Sequence, residues 1–228
     1  MADNDLLSSA NSRVTQMAQP YYITTPIYYV NDKPHIGHAY TTLACDVLAR
    51  FKRLDGFDVT FLTGTDEHGQ KVEKAACEKG VSPQCFTDEV SQNFRDLTAQ
   101  MNFSNDDFIR TTEMRHKLAC QELWKRLQQR GHIRLGNYAG WYSVRDEAFF
   151  TETEVVDEKA PTGAPVEWVE EPSYFFNLSQ WQQPLLDYYE VNPNFVGPES
   201  RFNEVKSFVK GGLRDLSVSR ASFKWGIP

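Results

Sequence analysis

Only four cysteines occur in 228 residues (Cys45, Cys77, Cys85 and Cys120), and no two stand at the two-residue spacing of a zinc knuckle. That excludes the disulfide framework of a small secreted domain and leaves reduced thiols in an intracellular protein as the simplest reading. No apolar run approaches the roughly 18–20 residues of a membrane span, so no membrane partner is expected. Positive charge is not in excess either. Lys and Arg number 24 against 31 Asp and Glu, a formal net charge of −7, which argues against a general polyanion binder but leaves room for a local basic track. Internal repeats and low-complexity tracts are missing. The first 19 residues have no apolar core like a secretory signal's. With Asp3 and Asp5 against the single Arg13 they make a poor mitochondrial presequence. Residues 1–19 therefore read as a flexible extension, and the expected location is cytoplasmic, with mitochondrial as the alternative.

What is present suffices for a packed protein. Hydrophobic residues make up 40% and aromatics 13%, enough for one large domain or two small ones. Tyr21 to Val30, rich in aromatic and β-branched residues, reads as a buried strand, and Asn31-Asp32-Lys33-Pro34 as a turn. Ile36, Tyr40, Leu43, Val47 and Phe51 then recur at helical steps, with Pro34 suited to the first turn. Val59 to Thr63 reads as a second strand, with residues 64–69 as its exit loop. A helix to Gly80, another opened by Ser82-Pro83, a short strand at Phe108-Ile109 and a helix from Thr112 to near Gly131 complete this half. Strand–helix alternation predicts an α/β fold with a doubly wound parallel, Rossmann-like sheet. From His132 to Val169 the texture changes to short alternating runs, which predict antiparallel strands, and helices resume at Gln180–Tyr189 and Glu199–Lys210. The expected organisation is a first half of a nucleotide-binding domain over 20–114, then a smaller mixed connective domain and a return towards that fold over 115–228.

The strongest chemical signal is His35-Ile36-Gly37-His38 at the start of the first helix. Free amides and the positive end of the helix dipole make such a terminus a phosphate site. Two imidazoles three residues apart share one side of the first turn. They can donate hydrogen bonds as charge builds on a phosphate in a transition state. A glycine between them lets a flat base lie against backbone.

Tyr22-Ile23-Thr24-Thr25-Pro26-Ile27-Tyr28-Tyr29-Val30-Asn31 leading into that tetrapeptide resembles the first signature of the methionyl-tRNA synthetases, a family of class I aminoacyl-tRNA synthetases. Residues 61–69, Phe108-Ile109-Arg110-Thr111-Thr112, Tyr138-Ala139-Gly140-Trp141-Tyr142, residues 170–176 and Asp215 to Arg220 are similar to later family segments. The resemblance covers about residues 20–228. It implies ATP-dependent activation of methionine and transfer to initiator and elongator methionine tRNAs, with ATP arriving as its Mg2+ complex. It further implies that His35 and His38 contact the ATP phosphates catalytically, that Gly37 lies under the adenine, that Ile27 and Tyr29 line the methionine side-chain pocket, and that Asp66 binds the substrate ammonium. A thioether needs an apolar, polarizable wall, and a buried ammonium needs a carboxylate. For His68 the resemblance leaves open a contact with ATP or a role in holding the loop.

Many relatives carry paired cysteines after the Gly-Trp-Tyr segment and bind structural zinc there. Here the stretch reads Ser143-Val144-Arg145-Asp146, and no cysteine follows Cys120, so no structural zinc and no metal ligand set are expected. A second ATP signature of the Lys-Met-Ser-Lys-Ser type and an anticodon-binding domain are not in this sequence. By this reading the chain is an N-terminal catalytic portion with little or no activity alone. Two alternatives stay open at this point: another nucleotidyltransferase sharing the HxGH motif, and a non-catalytic synthetase-like binding fragment. Oligomeric state is not legible.

Overall fold

The structure is a computed structural model, and it describes residues 18–146, 148–221 and 223–228. Most of the expected N-terminal extension lies outside the described residues. The chain divides into two compact units. One takes the chain up to Tyr28 together with Asp32–Thr65 and Gln92–Ile109; the other takes Tyr29–Asn31, Asp66–Ser91 and Arg110–Pro228.

In the first unit, strand β1 (Pro20–Thr24) pairs in parallel with β3 (Asp58–Asp66), in register from Pro20 opposite Asp58 to Thr24 opposite Leu62. The single strand expected over Tyr21–Val30 is broken. Its second part is the two-residue β2 (Tyr28–Tyr29), because Pro26 has no amide hydrogen for a ladder. Thr25 turns inward instead and sets its hydroxyl 2.7 Å from that of Thr63. Nor is β1 buried along its length: it alternates exposed and half-buried residues, and Tyr22 is 62% exposed.

Helix α1 (Ile36–Leu54) follows. It starts after His35 rather than at Pro34, since the His35 side chain itself caps the first turn. Ile36, Tyr40, Leu43, Val47 and Phe51 share a face, as their spacing predicts, yet that face is exposed, Ile36 by 87%. The buried face carries Thr42, Asp46 and Ala49. Ala49 packs with Val59 and Phe61 of β3, edged by Tyr21, Ile23, Cys45 and Phe57. Strand β3 runs past its expected end at Thr63 as far as Asp66, because β4 (Asp107–Arg110) also pairs with it. Gly64 permits that approach: a Cβ there would stand 2.0 Å from the Ile109 carbonyl oxygen. The sheet order is β1-β3-β2, with β4 against β3.

Helices α2 (Gln70–Glu78) and α3 (Pro83–Gln100) lie where their periodicity predicts. The Ser82 hydroxyl accepts from the Cys85 amide at 3.2 Å and caps α3. Helix α4 (Met114–Gln129) begins two residues later than Thr112 and ends before Gly131, whose φ is +74°.

The second unit's own sheet is antiparallel, in the order β6-β5-β7-β8: β5 (Ile133–Ser143), β6 (Ala148–Phe150), β7 (Glu167–Phe176) and β8 (Leu216–Ser217). β5 and β7 pair from Ile133 opposite Phe176 to Tyr142 opposite Glu167, so strand structure extends past the expected Val169. Helices α5 (Gln182–Val191) and α6 (Glu199–Lys210) bury Tyr189, Val209 and Leu213 in a small separate core.

Candidate active site

His35 is the N-cap of α1. Its Nδ1 accepts a hydrogen bond from the Gly37 amide at 3.1 Å, and His38 Nδ1 accepts one from the His35 amide at 3.1 Å. This is a reciprocal capping box with imidazoles in the usual Ser and Glu roles. An accepting Nδ1 carries no proton, so the network assigns the proton of each neutral ring to Nε2. The rings stack with centroids 3.8 Å apart. Burial lowers the His38 pKa and the neighbouring His35 lowers it further, which favours the neutral, single-donor form. Gly37 is required locally for a reason its motif did not reveal: a Cβ would sit 2.9 Å from His35 Cε1 and 3.1 Å from Nδ1, displacing the ring from its cap.

Tyr28, to which the sequence reading gave no role, fixes this pair. Its ring lies 4.7 Å from His38 and 5.7 Å from Phe94, centroid to centroid, and Phe94 is 5.2 Å from His38. Its hydroxyl is 2.8 Å from the Thr42 hydroxyl and donates to the His38 carbonyl at 3.3 Å. Burial pushes its pKa up. The signal was available as alternation: between Ile27 and Tyr29, Tyr28 must point the other way. Ile27, in the same unit, is 40% exposed and outside the core.

Tyr29 and Asp66 belong to the second unit and are brought together there. The Val30 amide donates to the Asp66 carbonyl at 3.3 Å. The Tyr29 ring is half-buried, with Lys71 Nζ 5.7 Å from its centroid. Asp66 is half-buried at the end of β3. Its neighbour Glu67 is fully buried, and its carboxylate accepts from Arg110 Nε at 2.7 Å, Arg110 Nη2 at 2.9 Å and the Thr112 hydroxyl at 2.5 Å. Arg110 reaches Asp88 as well, at 2.6 Å. Burial works against the charged guanidinium, but the bonds it donates to the Glu67 and Asp88 carboxylates outweigh it and raise the Arg110 pKa. Glu67 and Arg110 both lie in segments singled out for resemblance, yet nothing in one dimension pairs residues so far apart in the chain.

His68 packs its ring 5.5 Å from Trp225, whose indole N–H donates to the Glu67 carbonyl and whose carbonyl accepts from the Gly69 amide at 3.1 Å. Burial lowers the His68 pKa, with Lys117 adding to the effect, and its Nε2 is buried without a hydrogen-bond partner. The chain from Glu67 to Gly69 is therefore held by Trp225. Among the described residues no group of three or more His, Cys, Asp or Glu side chains could hold a metal ion, and no helix is long and apolar enough to cross a membrane.

A family model described as class I tRNA synthetases (M) matches residues 21–163 and 153–228. The chain belongs to the family of class I tRNA synthetases (M). Among similar proteins within this synthetase family, the methionine–tRNA ligase of Rickettsia typhi is 68% identical over 212 residues, covering 92% of this chain and 42% of the relative. That of Mesorhizobium japonicum is 56% identical over 215 residues, with the same coverage. A solved structure of the Mycobacterium tuberculosis methionyl-tRNA synthetase in complex with methionyl-adenylate matches with a TM-score of 0.86 at 53% identity, over 92% of this chain and 42% of that one. The parallel sheet flanked by helices is thus the Rossmann-like fold of the class I synthetases, and the chain spans less than half the length of these relatives.

Proposed function

We propose that this synthetase chain carries amino-acid activation for a methionine–tRNA ligase: methionine and ATP give methionyl-adenylate and pyrophosphate, and the methionyl group then passes to a hydroxyl of methionine tRNAs, initiator and elongator, as the acyl-phosphate bond breaks and AMP leaves. The observation that carries the reading is the imidazole capping box. Both δ nitrogens are committed to backbone amides, which leaves two Nε2–H donors in the first turn of a helix whose dipole favours anions. Such donors suit the charge that develops as the methionine carboxylate attacks the α-phosphate in line and pyrophosphate departs. Similarity to a synthetase whose structure holds methionyl-adenylate supports the same chemistry.

Gly37 is assigned to the adenine, Ile27 and Tyr29 to the methionine side chain, and Asp66 to its ammonium. Mg2+ enters as part of the nucleotide substrate, and no structural zinc is assigned. Residues 20–114 are read as the first half of the nucleotide-binding domain and 115–228 as connective domain and return. The location is cytoplasmic, with mitochondrial as the alternative.

Pyrophosphate exchange tests the function in an enzyme of the relatives' full length that carries this sequence. Exchange is expected with methionine and not with leucine, isoleucine or cysteine; exchange driven equally by another amino acid, or none at all, overturns the reading. In that enzyme His38→Ala is expected to slow adenylate formation on the order of 10²–10³-fold, the usual loss for one preorganised donor, with methionine affinity little changed. A near-normal rate in stopped flow removes His38 from catalysis. Asp66→Ala is expected to weaken methionine binding by on the order of 2–4 kcal/mol, through an unpaired ammonium, with far less effect on ATP. Equal losses measured for both ligands would make Asp66 structural.

A further inference from the structure

The peptide group between Asp66 and Glu67 is pinned at both ends. Its carbonyl accepts from the Val30 amide at 3.3 Å, and its N–H donates to the Thr111 hydroxyl at 2.9 Å. Every polar atom of Glu67 is also engaged: the carbonyl by the Trp225 indole, one carboxylate oxygen by Arg110 Nε, the other by Arg110 Nη2 and Thr112. Asp88 accepts from the same Arg110 Nη2 at 2.6 Å and is held in turn by Gln84 Nε2 at 2.9 Å. Successive side chains at a strand end point to opposite faces. A fully buried Glu67 therefore leaves Asp66 on the other face, where it is half-buried.

A buried ion pair is a weak source of stability, since an apolar pair of similar volume often serves as well. What a planar guanidinium fork on a carboxylate supplies is direction, because two parallel bonds allow one geometry. We propose that Glu67 and Arg110 are a positioning pair that fixes the aim of the Asp66 carboxylate and thereby sets the affinity for the ammonium group of the amino-acid substrate. The proposal rests on the assignment of Asp66 to that ammonium. Neither residue touches substrate; both act through the pinned peptide.

The test uses an enzyme of the relatives' full length and measures methionine affinity, ATP affinity and melting temperature for Arg110→Lys, Glu67→Gln, Thr112→Val, Asp66→Asn and the double variant Arg110→Lys/Asp66→Asn. Arg110→Lys keeps the charge and loses the fork. It is expected to weaken methionine on the order of 10-fold or more, the scale on which misplacement by a fraction of an ångström acts, with ATP affinity little changed. If Arg110 works through Asp66, the double variant binds methionine no more weakly than Asp66→Asn alone. Should Arg110→Lys or Glu67→Gln not fold, Thr112→Val removes one bond to the same carboxylate while keeping the side-chain shape, and is expected to show the same selective loss to a smaller degree. Parallel loss of methionine and ATP affinity, or full additivity in the double variant, overturns the positioning role. Normal methionine binding by Asp66→Asn overturns the underlying assignment instead. Loss in Asp66→Asn with none in Arg110→Lys, Glu67→Gln or Thr112→Val overturns the pair alone.

Discussion

A histidine at a helix N-cap commits one ring nitrogen to the helix and keeps the other for a ligand. His35 commits its Nδ1 to the Gly37 amide from the N-cap, His38 commits its Nδ1 to the His35 amide from the third helical position, and the glycine between them leaves room for the capping ring. Gly37→Ala separates the two consequences. Alanine raises helix propensity by up to about 1 kcal/mol, while a displaced cap costs about the same. Stability is therefore expected to change little. In an enzyme of the relatives' full length the rate of adenylate formation is expected to fall by on the order of 10-fold or more, because the His35 ring is pushed off its bond and its Nε2–H off its aim. Thermal melts beside single-turnover rates check this, and an unchanged rate would mean that the ring's aim is immaterial. The tetrapeptide was plain in the sequence, whereas the tautomers were not, because they depend on which amides the δ nitrogens meet once the turn closes.

Helix α1 is held in its unit by charge as much as by apolar contact. The Asp46 carboxylate accepts from the Ser104 amide at 2.6 Å, the Ser104 hydroxyl at 2.7 Å and Arg50 Nε at 2.7 Å, and Arg53 pairs with Asp106 at 2.7 Å. Burial pushes the Asp46 carboxyl up, but the Ser104 bonds and Arg50 outweigh it, so its pKa lies below the ordinary 3.8. A depressed folded-state pKa stabilises the ionised form. The contribution is full above the ordinary aspartate value and is lost as pH falls through the lower folded value. Asp46→Ala is expected to cost about 2–3 kcal/mol at neutral pH, mostly from the stranded Ser104 amide and hydroxyl. The gap from the parent is expected to narrow as pH drops below about 4, and denaturant melts across pH 2.5–7 measure it. Periodicity showed that α1 is a helix and which residues share a face. It could not show that the polar face turns inward, because that choice belongs to Ser104 and the segment before β4.

For the molecule as a whole, the stretch from Ser143 to Asp146 decides whether metal organises the antiparallel unit. Asp146 accepts from the Ser143 hydroxyl at 3.1 Å, from Arg145 Nε at 3.2 Å and from the Thr162 hydroxyl, and Arg145 Nη2 donates to the Thr162 carbonyl at 2.8 Å. These bonds tie the turn after β5 to residue 162 with ordinary side chains. Elemental analysis of tag-free protein is expected to find no stoichiometric zinc, and a strong chelator is expected to leave the melting temperature unchanged. One tightly held zinc per chain, or a chelator-induced drop, would overturn this.

Local chemistry was decided by the sequence alone: the helix-opening HxGH, the glycines that end α2 and α4, the helix at Glu199–Lys210, and the switch from strand–helix alternation to antiparallel runs. Each depends on spacing or on the conformational limits of one residue type, which a linear chain states openly. Only the tertiary structure decided that Thr25 turns in towards Thr63, that β3 continues to Asp66 because Gly64 lets Ile109 approach, and that Glu67 and Arg110 meet. Those outcomes join residues tens of positions apart. The free energy of such a contact depends on what folding brings to it, and no local pattern carries that information.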